Sequence, residues 1–196
     1  MLGFNTDLAN QTKLLEQVIR ENEALFRIID RVSNLDLKNH YIGAGCIAQT
    51  IWNYQCKYDL LNGISDIDIV YFDQSDLSVD AENVIRKQII DAVGPCGLSL
   101  DINNQARVHL WYKAHFGYDI SPYSSVEDAI NTWPTTATSV GVRLENDTLK
   151  VYAPFGLNDI FGMIVRANKA QITEEIYDNK VKKWSKNWSE LNVIPW

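Results

Sequence analysis

The chain has 196 residues, 46% of them hydrophobic and 22% charged, which is ordinary for a globular protein and enough for one large domain. Its net charge of −7 argues against a protein that grips long nucleic acid, which needs a basic face. No apolar run can span a bilayer, and the start, MLGFNTDLANQTK, lacks the basic end and apolar stretch of a secretion signal, so a cytoplasmic protein without a membrane partner is expected.

Residues of about 7–20 carry a helical stripe in Leu14, Leu15, Val18 and Ile19, with Thr6 as the expected cap. A second stripe, Leu25, Ile28, Ile29 and Val32, predicts a helix over about 23–34. In 40-HYIGAGCIAQTIWNY-54 the glycines Gly43 and Gly45 are expected to open a turn before a helix. The run 66-DIDIVYFD-73 reads as a strand, since Ile67, Ile69, Val70, Tyr71 and Phe72 are β-branched or aromatic. Val84, Ile85, Ile89 and Ile90 predict a helix over 79–92, and GPCG at 94–97 a turn. A second strand is expected at 98-LSLDI-102, and a helix from Asn103 to a stop at Gly117. A short helix at 125–132 precedes a hairpin over 139–154 that turns near Asn146 and Asp147. A helical tail over 173–184 is expected to be pinned to the body by Trp184, Trp188 and Trp196. No repeat or low-complexity linker divides the chain, so residues 1–196 are read as one domain with helices at about 7–34 and a tail at 173–196. Cys46, Cys56 and Cys96 are odd in number and show no CxxC spacing, which reads as reduced thiols and not a zinc site.

Asp66 and Asp68 stand two apart on the predicted strand, so both carboxylates project from one face. Side by side they repel, and each tends toward neutrality unless a cation intervenes. Paired aspartates can equally be surface decoration or bridge to a lysine or arginine. A third carboxylate, Asp101, lies on the next predicted strand. Neighbouring strands would bring it beside the pair, giving three hard oxygen ligands suited to magnesium. The glycine turn at a helix start offers free backbone N–H groups to a triphosphate.

These residues resemble the nucleotidyltransferase superfamily that includes DNA polymerase beta. Gly43–Cys46, Asp66-Ile67-Asp68-Ile69 and Leu100-Asp101-Ile102 fit its sequence pattern. More narrowly, GAGCIAQTIWN, SDIDIVYFD, NNQARVHLWY, TTATSVGVRL and APFGLNDIF, over about residues 40–165, are similar to a bacterial nucleotidyltransferase-like family of undefined reaction. The resemblance implies an α+β (mixed α/β) fold: a small mixed sheet, helices mainly on one face, and a site at the sheet's edge. It implies transfer of a nucleoside monophosphate from a nucleoside triphosphate to a hydroxyl-bearing acceptor. By the acidic charge balance that acceptor is read as a small molecule before a nucleic acid, with a protein also open. Asp66, Asp68 and Asp101 would be catalytic and hold two magnesium ions, or manganese, about 4 Å apart. Asp101 would serve as ligand or proton acceptor, and Gly43, Gly45, Cys46 and Arg107 would bind the nucleotide.

Two departures from the pattern stand out. Cys46 replaces the usual serine at the phosphate turn, and a thiol is a poor hydrogen-bond donor. The path from Gly45 to Asp66 is longer than usual, which predicts an inserted loop over Asn53–Ser65. The alternatives are a nucleotide-binding module without catalysis, which Cys46 favours, and a metal-dependent phosphohydrolase. Arg107 fits a phosphate contact or an ion pair orienting an aspartate, with Asn103 on the same expected helix face. His109, Trp111 and Tyr112 read as structural before functional, and so do the hydroxyls of 133-WPTTATS-139. Lys180, Lys182 and Lys183 read as a solvated helix face.

Overall fold

The computed structural model describes residues 1–35, 37 and 39–196. Helices α1 (Leu8–Glu21) and α2 (Glu23–Ser33) lead into strand β1 (His40–Gly43), helix α3 (Gly45–Cys56) and strand β2 (Asp66–Tyr71). Helix α4 (Val79–Val93), strand β3 (Ser99–Asn104), and helices α5 (Val108–Phe116) and α6 (Val126–Ile130) follow. The hairpin β4 (Gly141–Glu145) and β5 (Thr148–Tyr152) precedes α7 (Asn158–Phe161), β6 (Ile164–Val165), α8 (Glu174–Trp184) and β7 (Asn192–Val193). Five strands form a mixed sheet in the order β3-β2-β1-β4-β5, with only β2 and β3 parallel.

Alternation along β2 sorts its side chains between two unequal faces. Ile67, Ile69 and Tyr71 join a core with Leu15, Val18, Ile19, Ile28, Ile29, Ile47 and Trp52 of the first three helices. On the opposite face Val70 joins a much smaller cluster with Tyr41, Val126 and Ile130. The helices therefore crowd one face, as expected, and leave Asp66 and Asp68 on the thinly covered one. The tail is tied in by three tryptophans. Trp184 and Trp188 pack edge-on against Trp52 at 5.6 and 5.4 Å, and Trp188 Nε1 donates to Asn53 Oδ1 at 2.7 Å. The segment after α3 is also held, because Asn53 Nδ2 donates to the carbonyls of Leu60 and Asn62. The predicted insertion is thus helix up to Cys56 and an anchored loop beyond it.

Several expectations change. Asp7, not Thr6, caps α1, its carboxylate accepting from Asn10 N, while Thr6 donates to the carbonyl of Gly3. β1, α7, β6 and β7 are short elements that the sequence reading passed over. Asn103 lies in β3, a 3-10 turn spans Gln105–Arg107, and α5 starts only at Val108, so Asn103 and Arg107 share no helix face. Helix α4 exposes Val84 and Ile90 of its expected stripe and buries Glu82. The cause is a buried ion pair: one Glu82 oxygen takes Arg107 and the other accepts from Asn104 N at 2.9 Å.

Removing one partner of such a pair strands a buried charge, which costs about 3–5 kcal/mol. Arg107→Leu is therefore expected to lower the urea midpoint by that loss of stability. An unchanged midpoint would contradict the structural role of the pair.

Candidate active site

The cradle begins where β1 ends. Gly43 sits opposite both Asp68 and Gly141 in the sheet. A Cβ there would stand 2.4 Å from the Val140 carbonyl oxygen and 2.9 Å from the Trp133 ring, so close packing demands glycine. The sharp bend itself falls on Ala44, not on the flanking glycines. Ala44 has φ 59° and ψ −131°, a conformation that strains an L-residue, and its N–H donates to the Val140 carbonyl at 2.9 Å. No side chain caps α3, so its positive N-terminal end opens where Ala44 and Gly45 line a cleft.

Cys46 does not enter that cleft. It is buried, and its Sγ donates to the Gly43 carbonyl at 3.0 Å. Burial, with the charges of Asp68 and Asp66 nearby, pushes its thiol well above the usual range. The side chain at the serine position is thus spent on the backbone, and Cys46 offers the cleft no side-chain donor.

Parallel pairing aligns Asp68 with Asp101, and Asp66 lies two residues back on the same face. All three line the one cleft, of about 390 Å³. Asn103 Nδ2 donates to Asp101 Oδ1 at 2.8 Å and Ser65 Oγ to Asp66 Oδ1 at 2.6 Å. Burial raises the Asp68 carboxyl to about 7, helped by the neighbouring charges of Asp66 and Asp101 and opposed by Lys180. Among the described residues, no three His, Cys, Asp or Glu side chains form a ready-made metal cage. Magnesium does not require one, since it binds through one or two carboxylates, waters and substrate phosphates. The hard oxygen donors and their mutual repulsion suit such an ion.

The sequence reading missed the two lysines of this cleft. Lys180 and Lys183, expected on a solvated face, line it from α8. Burial depresses the Lys180 ammonium below its usual range, while Asp68 and Asp66 pull it upward. The available signal was Trp184, four residues on and hence on the same helix face. Its burial turns that face inward, and Lys180 lies 5.8 Å from its ring. Trp111 and Tyr112, read as core residues, line the cleft with Phe116, Tyr123 and Trp133. The ring hydroxyls are already engaged: Tyr112 with Tyr118, and Tyr123 with Thr132 and Gln171.

Other residues fall outside. Arg107 is held by Glu82 and the Leu77 carbonyl and does not line the cleft. Its phosphate contact is corrected to an ion pair whose partner is Glu82, not a site aspartate. Of the hydroxyl run, Thr138 lines the cleft, but Thr135, Thr138 and Ser139 bond one another and the local backbone. Arg143 pairs with Glu145 and stacks on Tyr41.

A family model described as Nucleotidyltransferase matches residues 30–193. No curated protein matches the sequence. A solved structure described as an NMR structure that reveals a CCA-adding enzyme head domain superposes with a TM-score of 0.75 at 24% identity. It covers 93% of this chain and 95% of its own, a likeness of fold. With the family model spanning most of its length, the chain belongs to the nucleotidyltransferase family and has the polymerase-beta-like fold.

Proposed function

We propose that the protein transfers a nucleoside monophosphate from a nucleoside triphosphate to the hydroxyl of a small-molecule acceptor, with magnesium as cofactor. The observation that carries this reading is the alignment of Asp66, Asp68 and Asp101 on one sheet face beside the uncapped start of α3. The triphosphate lies along the backbone N–H groups of that helix end, with Lys180 and Lys183 facing its negative charge. Asp66 and Asp68 would hold magnesium, with Asp101 as a further ligand or as proton acceptor. When bound, the metal supplies charge neutralisation for the phosphates and a lowered pKa for the acceptor hydroxyl.

Asp101, oriented by Asn103, receives the hydroxyl proton. The acceptor oxygen forms its bond to the α-phosphorus. The bond from that phosphorus to the bridging oxygen breaks, and pyrophosphate leaves with the electron pair. The lysines hold the departing charge. The rings of Trp111, Tyr112, Phe116 and Trp133 give a base or an acceptor an apolar wall that excludes water.

A nucleotide-binding module without chemistry is the rival. The intact trio Asp66, Asp68 and Asp101 opposes it, since a merely structural domain has no need to hold three carboxylates together, and metal-dependent pyrophosphate release separates the two.

Calorimetric titration of the four ribonucleoside triphosphates tests the site. Wild type is expected to bind at least one of them only with magnesium, and Asp66→Ala/Asp68→Ala to bind none. Equal binding by the double variant would place the nucleotide elsewhere. A second expectation concerns stability. The Asp68 carboxyl titrates near 7 when folded and about 4 when unfolded, so the metal-free fold loses stability as pH rises between those values. Asp68→Asn should therefore raise the melting temperature of the chelated protein at pH 8 by several degrees and raise it by clearly less at pH 5.

A further inference from the structure

We infer that Gln49 is a phosphate-binding residue of this site, supplying the side-chain donor that Cys46 cannot. The inference rests on the nucleotide reading above and adds a residue that the sequence pattern did not single out.

Gln49 lies four residues after Gly45 in α3. Side chains of a helix lean toward its N-terminus, so a residue at i+4 covers the surface at i. Gly45 has no side chain to block that path. A Cβ built on Gly45 would stand 3.0 Å from Gln49 Nε2, which fixes the amide nitrogen directly over the helix start. A side chain at position 45 would crowd the Gln49 amide and push it aside by a few tenths of an ångström, while the positive φ of the turn falls on Ala44.

Gln49 is only 8% exposed, yet its carboxamide makes no hydrogen bond to any described residue. The amide atoms are not sealed from solvent: they open on the cleft that Gln49 lines, where a ligand can meet them. Its amide and hydroxyl neighbours on α3, Asn53 and Thr50, are satisfied, whereas the buried Trp52 Nε1 has no partner among the described residues but does not line the cleft. Thr50 Oγ1 donates to the Cys46 carbonyl, and Asn53 holds the following loop. Gln49 alone among these polar side chains lines the cleft. A carboxamide offers two N–H donors, and those of Gln49 meet the same space as the free backbone N–H groups of Gly45 and its successors. Donors converging on a helix N-terminus match an oxyanion, here the triphosphate chain. The three aspartates exclude a bare anion from much of the cleft, so the fit is to a phosphate brought in with its cation.

The test uses magnesium and inorganic triphosphate as the probe, which separates phosphate recognition from base recognition. Gln49→Leu keeps the volume and removes the donors. It is expected to weaken triphosphate binding tenfold or more while leaving the melting temperature within a few degrees of wild type. In wild type the Gln49 side-chain amide signals should shift in the ¹H–¹⁵N spectrum when triphosphate is added. Gln49→Glu, with the same shape and a negative charge, should bind more weakly still. Equal binding by wild type and Gln49→Leu, with unmoved amide signals, would overturn the assignment of Gln49 and leave the nucleotide site intact. If neither triphosphate nor any nucleoside triphosphate binds wild type, the nucleotide reading falls, and the role of Gln49 with it.

Discussion

Three carboxylates on one face of a sheet edge repel one another, and much of the fold is arranged to hold them there. The parallel pairing of β2 with β3 sets Asp68 against Asp101. The antiparallel pairing of β1 with β2 sets Gly43 against Asp68 and delivers the start of α3 to the same spot. A slip of one residue in either ladder would send the aspartates into the apolar core. The large cluster beneath Ile67, Ile69 and Tyr71 makes that slip costly. The core thus fixes the register, and the register builds the site.

Other parts close the cleft around this edge. The tryptophan contacts of the tail anchor α8 and bring Lys180 and Lys183 over the aspartates. The Glu82–Arg107 pair locks the far end of β3 against α4. Opposite charges enter from separate elements, so the site forms only when the tail has docked. Positive lysines, the helix start and an acidic floor together suit a phosphate chain carrying its own cation.

The sequence made the acidic floor legible because strand alternation and β-propensity agree over Asp66–Tyr71 and Ser99–Asn104. Long stripes in α1 and α2 were equally plain. Short elements such as β1, at four residues, and β6 and β7, at two each, carry too little pattern to be read alone. Gly43 and Gly45 looked like turn residues, whereas the bend falls on Ala44 and close packing against Val140 and Trp133 explains Gly43. Arg107 and Lys180 exchanged expected roles. One charge is drawn inside by Glu82, far off in sequence and so without a mark in local periodicity, and the other is carried to the cleft by Trp184, which only the i,i+4 spacing signals.

The reaction itself is the central claim. The most direct measurement follows the α-phosphorus: the protein is incubated with magnesium, α-labelled nucleoside triphosphates and a fractionated pool of small hydroxyl-bearing metabolites. The account predicts label in a new phosphodiester, with one pyrophosphate released per label transferred. Label recovered only as free nucleotide, or transfer of the γ-phosphate instead, would contradict it.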